Sequence, residues 1–363
     1  MEGGQIGNVG QKESRVKIMI ILVLVVCSAL FSWAFSQAAA QSAREETSAS
    51  VSAATSAPAT PAVTVMSEGC TVERFDVPSP SMKRQIRALV ILPPEYEDNL
   101  NQRYPVLYAL HGGFAPYACW SEMAPLRRAL RQRPMIVASF DGDQLGWYID
   151  ATRKPDSKFT TFFFDEFLPY VEAHYRTSGL RGVTGFSMGG FGALHYMLCK
   201  PALFASVSAL SSDYFRLSDK AAKADYGLVA LLGDPDQNKE EYARLDIPSR
   251  IEEAVKEHVK LPPMMLWCST EDGYGLLAEN REMARFLVEQ NRIIANEVAK
   301  EAANQPEKDK RDKLTTDLLA ARRINFLSME SPGKHEWPFW RDASEIVIDF
   351  HWRSFRNAQT GKP

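Results

Sequence analysis

The chain has 363 residues, of which 45% are apolar and 24% charged, with a formal net charge of −3 at pH 7. That composition belongs to a globular protein and excludes a disordered or fibrous one. Its lysines and arginines form no basic stripe, which excludes recognition of a phosphate backbone and leaves no role for nucleic acid as a partner.

The first informative stretch is the N-terminus. Lys12, Arg15 and Lys17 precede an uncharged apolar run over 18–35, and Ala38-Ala39-Ala40 offers a small-residue exit. This order reads as an export signal. The run is also just long enough to cross a bilayer, so residues 1–40 are expected to be either a signal peptide or an uncleaved membrane anchor. The expected location is secreted or periplasmic, with an N-terminal membrane tether in the uncleaved case. Residues 41–68 are rich in Ala, Ser, Thr and Pro and predict a flexible linker, because such a segment cannot bury enough apolar surface to offset the entropy of ordering.

Residues 69–358 read as one domain. Strand-like apolar runs occupy 84–92, 106–110, 135–140, 182–186, 205–210, 264–268 and 324–329. Helical patterns lie at 121–132, 160–175, 189–200, 239–258, 276–290 and 342–356. Alternation at this spacing predicts an α/β fold, a mostly parallel central sheet with helices on both faces. Residues 291–323 are highly charged and helix-favouring, with Pro306 as a break, and predict an inserted surface helical hairpin. Cys70, Cys119, Cys199 and Cys268 match no disulfide framework or metal spacing. They allow either two disulfides or incidental thiols. Neither a metal nor another cofactor is expected.

The strongest chemical signal is Gly185-Phe186-Ser187-Met188-Gly189. It follows a strand pattern and opens a helical one, the setting in which a serine is pushed out of a sharp turn as a nucleophile. Serine needs a base to take its proton. Of the six histidines, His174, His195, His258 and His351 fall in helical patterns and His111 follows an early strand. His335 sits in the loop after the last strand pattern, where this fold places its base. Between Ser187 and His335, Asp272 follows the run at 264–268 and is the expected acid, with Glu271 as the neighbour most easily mistaken for it. An oxyanion hole needs two N–H donors. Met188, directly after the serine, supplies one, and Gly113 or Phe114 in His111-Gly112-Gly113-Phe114 supplies the other.

These blocks resemble the α/β-hydrolase esterase family that includes S-formylglutathione hydrolases, tributyrin esterases, feruloyl and acetylxylan esterases, and mycolyltransferases. The likeness runs over roughly 70–355, apart from 291–323. It rests on LHGG at 110–113, RTSGLRGVTGFSMGGFGAL at 176–194, STEDGYGLLAENREMARFL at 269–287 and HEWPFW at 335–340. The resemblance implies Ser187, Asp272 and His335 as the triad. It also implies that Trp147, Tyr148, Trp337 and Trp340 line an acyl or alcohol pocket, unless they merely pack the core. The implied function is a serine carboxylesterase acting on extracytoplasmic carbohydrate or small acyl esters. The alternatives are an acyltransferase using the same triad and a non-catalytic binding module that kept only the fold. The export signal departs from a cytosolic thioester hydrolase, and the insertion alters the stretch before the last strand.

Overall fold

The computed structural model describes residues 61–214 and 224–361. The expected signal at 1–40 and most of the expected linker lie outside the described residues. Among the described residues nine strands form one sheet: β1 (Ala62–Val65), β2 (Thr71–Ser79), β3 (Arg84–Leu92), β4 (Tyr104–Leu110), β5 (Ile136–Phe140), β6 (Thr177–Phe186), β7 (Ser206–Leu210), β8 (Met264–Glu271) and β9 (Phe326–Lys334). Their spatial order is β1-β2-β3-β5-β4-β6-β7-β8-β9. From β5 to β9 all pairings are parallel, while β1, β2 and β3 join in antiparallel register. Strands β4, β5 and β7 are buried at every residue, as parallel strands covered on both faces must be.

The helices that matter here are α1 (Ala124–Leu130), α2 (Leu168–His174), α3 (Met188–Cys199), α4 (Ile247–Lys256), α5 (Leu276–Ala303), α6 (Lys308–Arg322) and α7 (Trp337–Thr360). One face of the sheet carries an aromatic core in which Tyr108, Phe140, Phe162, Phe163 and Phe167 pack together. On the other face Leu126 and Leu130 of α1 meet the same apolar cluster as Val347, Ile348 and Phe355 of α7.

Three sequence expectations are corrected. The linker does not stay free to residue 68, because Ala62–Val65 pairs with Thr71–Arg74 as an edge strand whose side chains are all exposed. The pattern over 239–258 is not one helix. Asp246 accepts a hydrogen bond from Ser249 N–H at 2.9 Å and Pro248 occupies the first turn, so a new helix starts there. The segment 160–175 is likewise broken into a short helical turn, a π-helical stretch over Phe162–Phe167, and α2.

Residues 291–323 comprise the far half of α5, a turn, and α6. α5 is a continuous 28-residue helix, and its extension buries Ile294, Val298 and Ala302 at four-residue spacing. The hairpin is tied down at its base. Asn291 donates to Ile324 C=O and accepts from Ile324 N–H, both at 2.9 Å, just before β9 begins. Cys70, Cys119, Cys199 and Cys268 are free thiols, so no disulfide joins them.

Arg127 of α1 forks onto Glu68 with contacts of 2.7 and 3.1 Å, pinning the β1–β2 turn. The guanidinium holds the Glu68 carboxyl at about 2, against an ordinary value of 4.5. A carboxylate with a lowered folded pKa adds stability that is present above its ordinary value and is lost as pH falls toward the lowered one. Glu68→Gln is therefore expected to lower the urea midpoint at pH 7, with wild type and variant converging as the pH approaches 2. A gap of constant size across that window would remove the pair from the acid response.

Candidate active site

Ser187 lies between β6 and α3 with φ 54° and ψ −124°, a region costly for a residue with a side chain. The turn is held by Ser187 N–H donating to Leu210 C=O at 2.8 Å. The flanking glycines are obligatory. A Cβ on Gly185 would stand 2.1 Å from Gly189 O, and one on Gly189 would stand 2.3 Å from Leu110 O. Backbone packing at the elbow is too close for any side chain there.

His335 follows β9 directly, and Asp272 follows β8. His335 Nε2 lies 3.0 Å from Ser187 Oγ, and its Nδ1 lies 2.8 Å from Asp272 Oδ2. The three residues expected from sequence are thus brought into one hydrogen-bonded chain. Asp272 has no exposed side-chain surface, while His335 keeps 12%. Burial works against ionisation of Asp272, but the hydrogen bond and charge of His335 and the N–H groups of Tyr274 and Leu276 outweigh it, holding the carboxyl below its ordinary value. Asp272 Oδ1 accepts from Tyr274 N–H at 3.0 Å. Glu271 is exposed at the end of β8 and makes no bond to His335 among the described residues. The neighbouring Cys268 thiol is pushed up to about 12 by burial.

Met188 opens α3, so its N–H has no intrahelical acceptor and is free to point at a ligand. Of the two residues expected to supply the second donor, Phe114 is ruled out, because its N–H donates to Gln144 C=O at 3.0 Å. Gly113 N–H has no acceptor among the described residues. Its direction is fixed by a residue that sequence reasoning left aside. The carbonyl of Gly112 belongs to the same peptide plane, and His111 Nδ1 lies 2.8 Å from it. The other ring nitrogen, Nε2, accepts from Gly142 N–H at 2.8 Å, so the proton must reside on Nδ1. Holding the carbonyl in a trans peptide aims the N–H the opposite way. His111 is fully enclosed, and burial lowers its pKa, which keeps the ring neutral and this tautomer in place.

Tyr148 is corrected in the same way. It is fully buried rather than part of a pocket, and its hydroxyl donates to His111 C=O at 2.9 Å, bracing the same loop. Trp147 is 6% exposed, packs edge-on against Phe191 and donates to Tyr226 C=O at 2.8 Å. Trp340 does meet the site: its ring stacks on Phe186 at 4.5 Å and stands at right angles to His335 at 4.9 Å. Trp337 reaches Phe186 at 6.4 Å. Tyr274, not singled out by sequence, places its ring 4.8 Å from that of His335 and is 60% exposed. The available signal was an aromatic residue set between two glycines two positions past Asp272.

His111→Ala is expected to lower kcat by roughly 10–10²-fold, less than outright loss of an oxyanion donor, which costs about 10²–10³. The rate should be expressed per site titrated with a fluorophosphonate. An unchanged rate per titrated site would leave His111 a purely structural residue.

Residues 79–343 match the model of a protein family described as "Putative esterase". The chain belongs to this family. An esterase found in two strains of Mycobacterium tuberculosis is 35% identical over 150 residues, 39% of this chain and 30% of the relative. The matched region thus spans less than a third of that protein's length. An S-formylglutathione hydrolase from Agrobacterium tumefaciens superimposes with a TM-score of 0.59 at 19% identity, covering 82% of this chain and 99% of the other. A ferulic acid esterase gives 0.56 at 22% identity, over 79% and 98% of the two chains. At these identities the structural likeness speaks for the fold, an α/β-hydrolase sheet with its helices.

Proposed function

We propose that Ser187, His335 and Asp272 form the catalytic triad and that the reaction runs through an acyl-serine. His335 Nε2 takes the Ser187 proton as Oγ attacks the ester carbonyl, and the carbonyl oxygen develops negative charge facing the N–H groups of Met188 and Gly113. The imidazolium then gives its proton to the departing alkoxide. Water repeats the sequence on the acyl-enzyme, with His335 again as base, and releases the acid. Asp272 keeps the Nδ1–H tautomer and offsets the charge on the ring. The observation that carries this reading is the single imidazole placed within hydrogen-bond distance of both Ser187 and Asp272.

The substrates we propose are extracytoplasmic: acylated sugars, plant-wall esters or small lipid esters. The charged, apolar and small-residue order of residues 1–40 supports that location. The test is a panel of p-nitrophenyl acetate, butyrate and octanoate, methyl ferulate and an acetylated xylo-oligosaccharide, run with and without an added alcohol. Turnover to free acid is expected, and the preferred member names the substrate class. Acyl groups recovered mainly on the added alcohol would make the enzyme a transferase, and no turnover on any member would overturn the proposed substrates.

A further inference from the structure

We propose that the ring of Tyr274 forms the binding face for the alcohol portion of the ester, and that this face selects alcohols carrying a ring over acyclic ones. The inference rests on the triad reading above. In that chemistry the two ends of the substrate occupy different places. The carbonyl oxygen faces Met188 and Gly113, whereas the leaving oxygen must come within hydrogen-bond reach of His335 Nε2 to receive its proton. The alcohol substituent therefore extends along the His335 side of Ser187.

Two aromatic rings flank the imidazole there. Trp340 is half-buried with one face already covered by Phe186, stacked at 4.5 Å. Tyr274 is 60% exposed and meets His335 at 4.8 Å, so it is the ring with surface to offer. Tyr226 extends the face outward. It is 43% exposed, its ring stands edge-on to Tyr274 at 6.3 Å, and its carbonyl is anchored by the Trp147 indole N–H at 2.8 Å. The Tyr274 backbone is anchored as well, by its bond to Asp272, so the ring is carried on a residue fixed to the triad itself. Neighbouring aromatic rings left open to solvent at the mouth of a reaction centre bind flat or ring-shaped groups by stacking, with little selectivity for acyclic chains. An aryl ring and a pyranose ring both satisfy that chemistry.

The test uses three acetates of primary alcohols, whose leaving groups are of similar reactivity: ethyl acetate, benzyl acetate and a methyl glucopyranoside acetylated at its primary hydroxyl. All three give the same acetyl-enzyme, and kcat/KM reports only the steps up to its formation. Any disturbance of His335 by the substitution lowers all three equally and cancels in their ratios. In Tyr274→Ala the kcat/KM of the ring-bearing esters relative to ethyl acetate is expected to fall by roughly two- to tenfold, the range of one aromatic stacking contact. Tyr274→Phe is expected to keep the wild-type ratios. A fall confined to benzyl acetate marks an aryl-binding face, and one confined to the glucoside marks a sugar-binding face. Ratios unchanged in Tyr274→Ala would overturn the proposal while leaving the triad intact. Failure of the triad reading would show differently, as fluorophosphonate labelling away from Ser187 in the wild-type chain.

Discussion

Ser187→Ala is expected to reduce ester turnover by about 10⁵–10⁶-fold, to whatever the oxyanion donors and substrate binding provide without a nucleophile. The substitution removes one hydroxyl, which among the described residues makes one bond, to His335 Nε2 at 3.0 Å. Alanine has no greater tolerance than serine for the φ of 54° at this position, so the backbone strain remains. A neutral hydrogen bond contributes on the order of 1 kcal/mol net. Thermal melting should therefore shift by only a few degrees while activity vanishes. The comparison is initial rates on p-nitrophenyl acetate beside a melt of the same preparation. Activity surviving at a hundredth of wild type in clean protein would move the nucleophile elsewhere.

Asp272→Asn is expected to cost about 10⁴-fold in kcat, the loss that follows when the base is held in its wrong tautomer. The structure gives the reason in atoms. One Asp272 oxygen accepts from Tyr274 N–H and the other faces His335 Nδ1. An asparagine that keeps its oxygen on the Tyr274 amide turns its NH₂ toward Nδ1, which forces the proton onto Nε2 and disables the base. Glu271→Gln, one residue away but exposed, should leave the rate unchanged. Reversal of those two results would transfer the acid role to Glu271. The lowered pKa of Asp272 sets the sign of its acid response. Its support is complete above the ordinary aspartate range and is withdrawn only as pH falls below it.

The three residues of the proposed triad were legible in the sequence because each announces itself locally: the glycine-flanked serine, the carboxylate after a strand, and the histidine before Trp337 and Trp340. The strand–helix alternation likewise gave the parallel half of the sheet. The antiparallel margin was harder to read. In β2 the apolar Val72, Phe75 and Val77 are interleaved with Glu73, Arg74 and Asp76, and β1 hides in a stretch whose composition argues for a tether. The proposed oxyanion loop was legible only in outline. Choosing Gly113 over Phe114 requires knowing that Gln144, thirty residues on, captures one of the two amides, and the part played by His111 depends on Gly142 and Tyr148. Such pairings are set by the fold and leave no periodic trace in the chain. Tyr148 illustrates the cost: an aromatic beside the site in sequence proved to be a strut under it.

Among the described residues β9, which ends directly before His335, is the outermost strand of the sheet and pairs with β8 alone. Edge strands open locally at lower free energy than the strands they cover. Fraying of β9 would carry His335 away from Ser187, whose turn is bonded to Leu210 on the interior strand β7. The charged hairpin of α5 and α6 takes on a mechanical meaning from this. By gripping Ile324 with both ends of the Asn291 amide, it ties down the chain just before β9 begins, so that a segment resembling surface ornament in the sequence holds the entry of the strand that leads to His335.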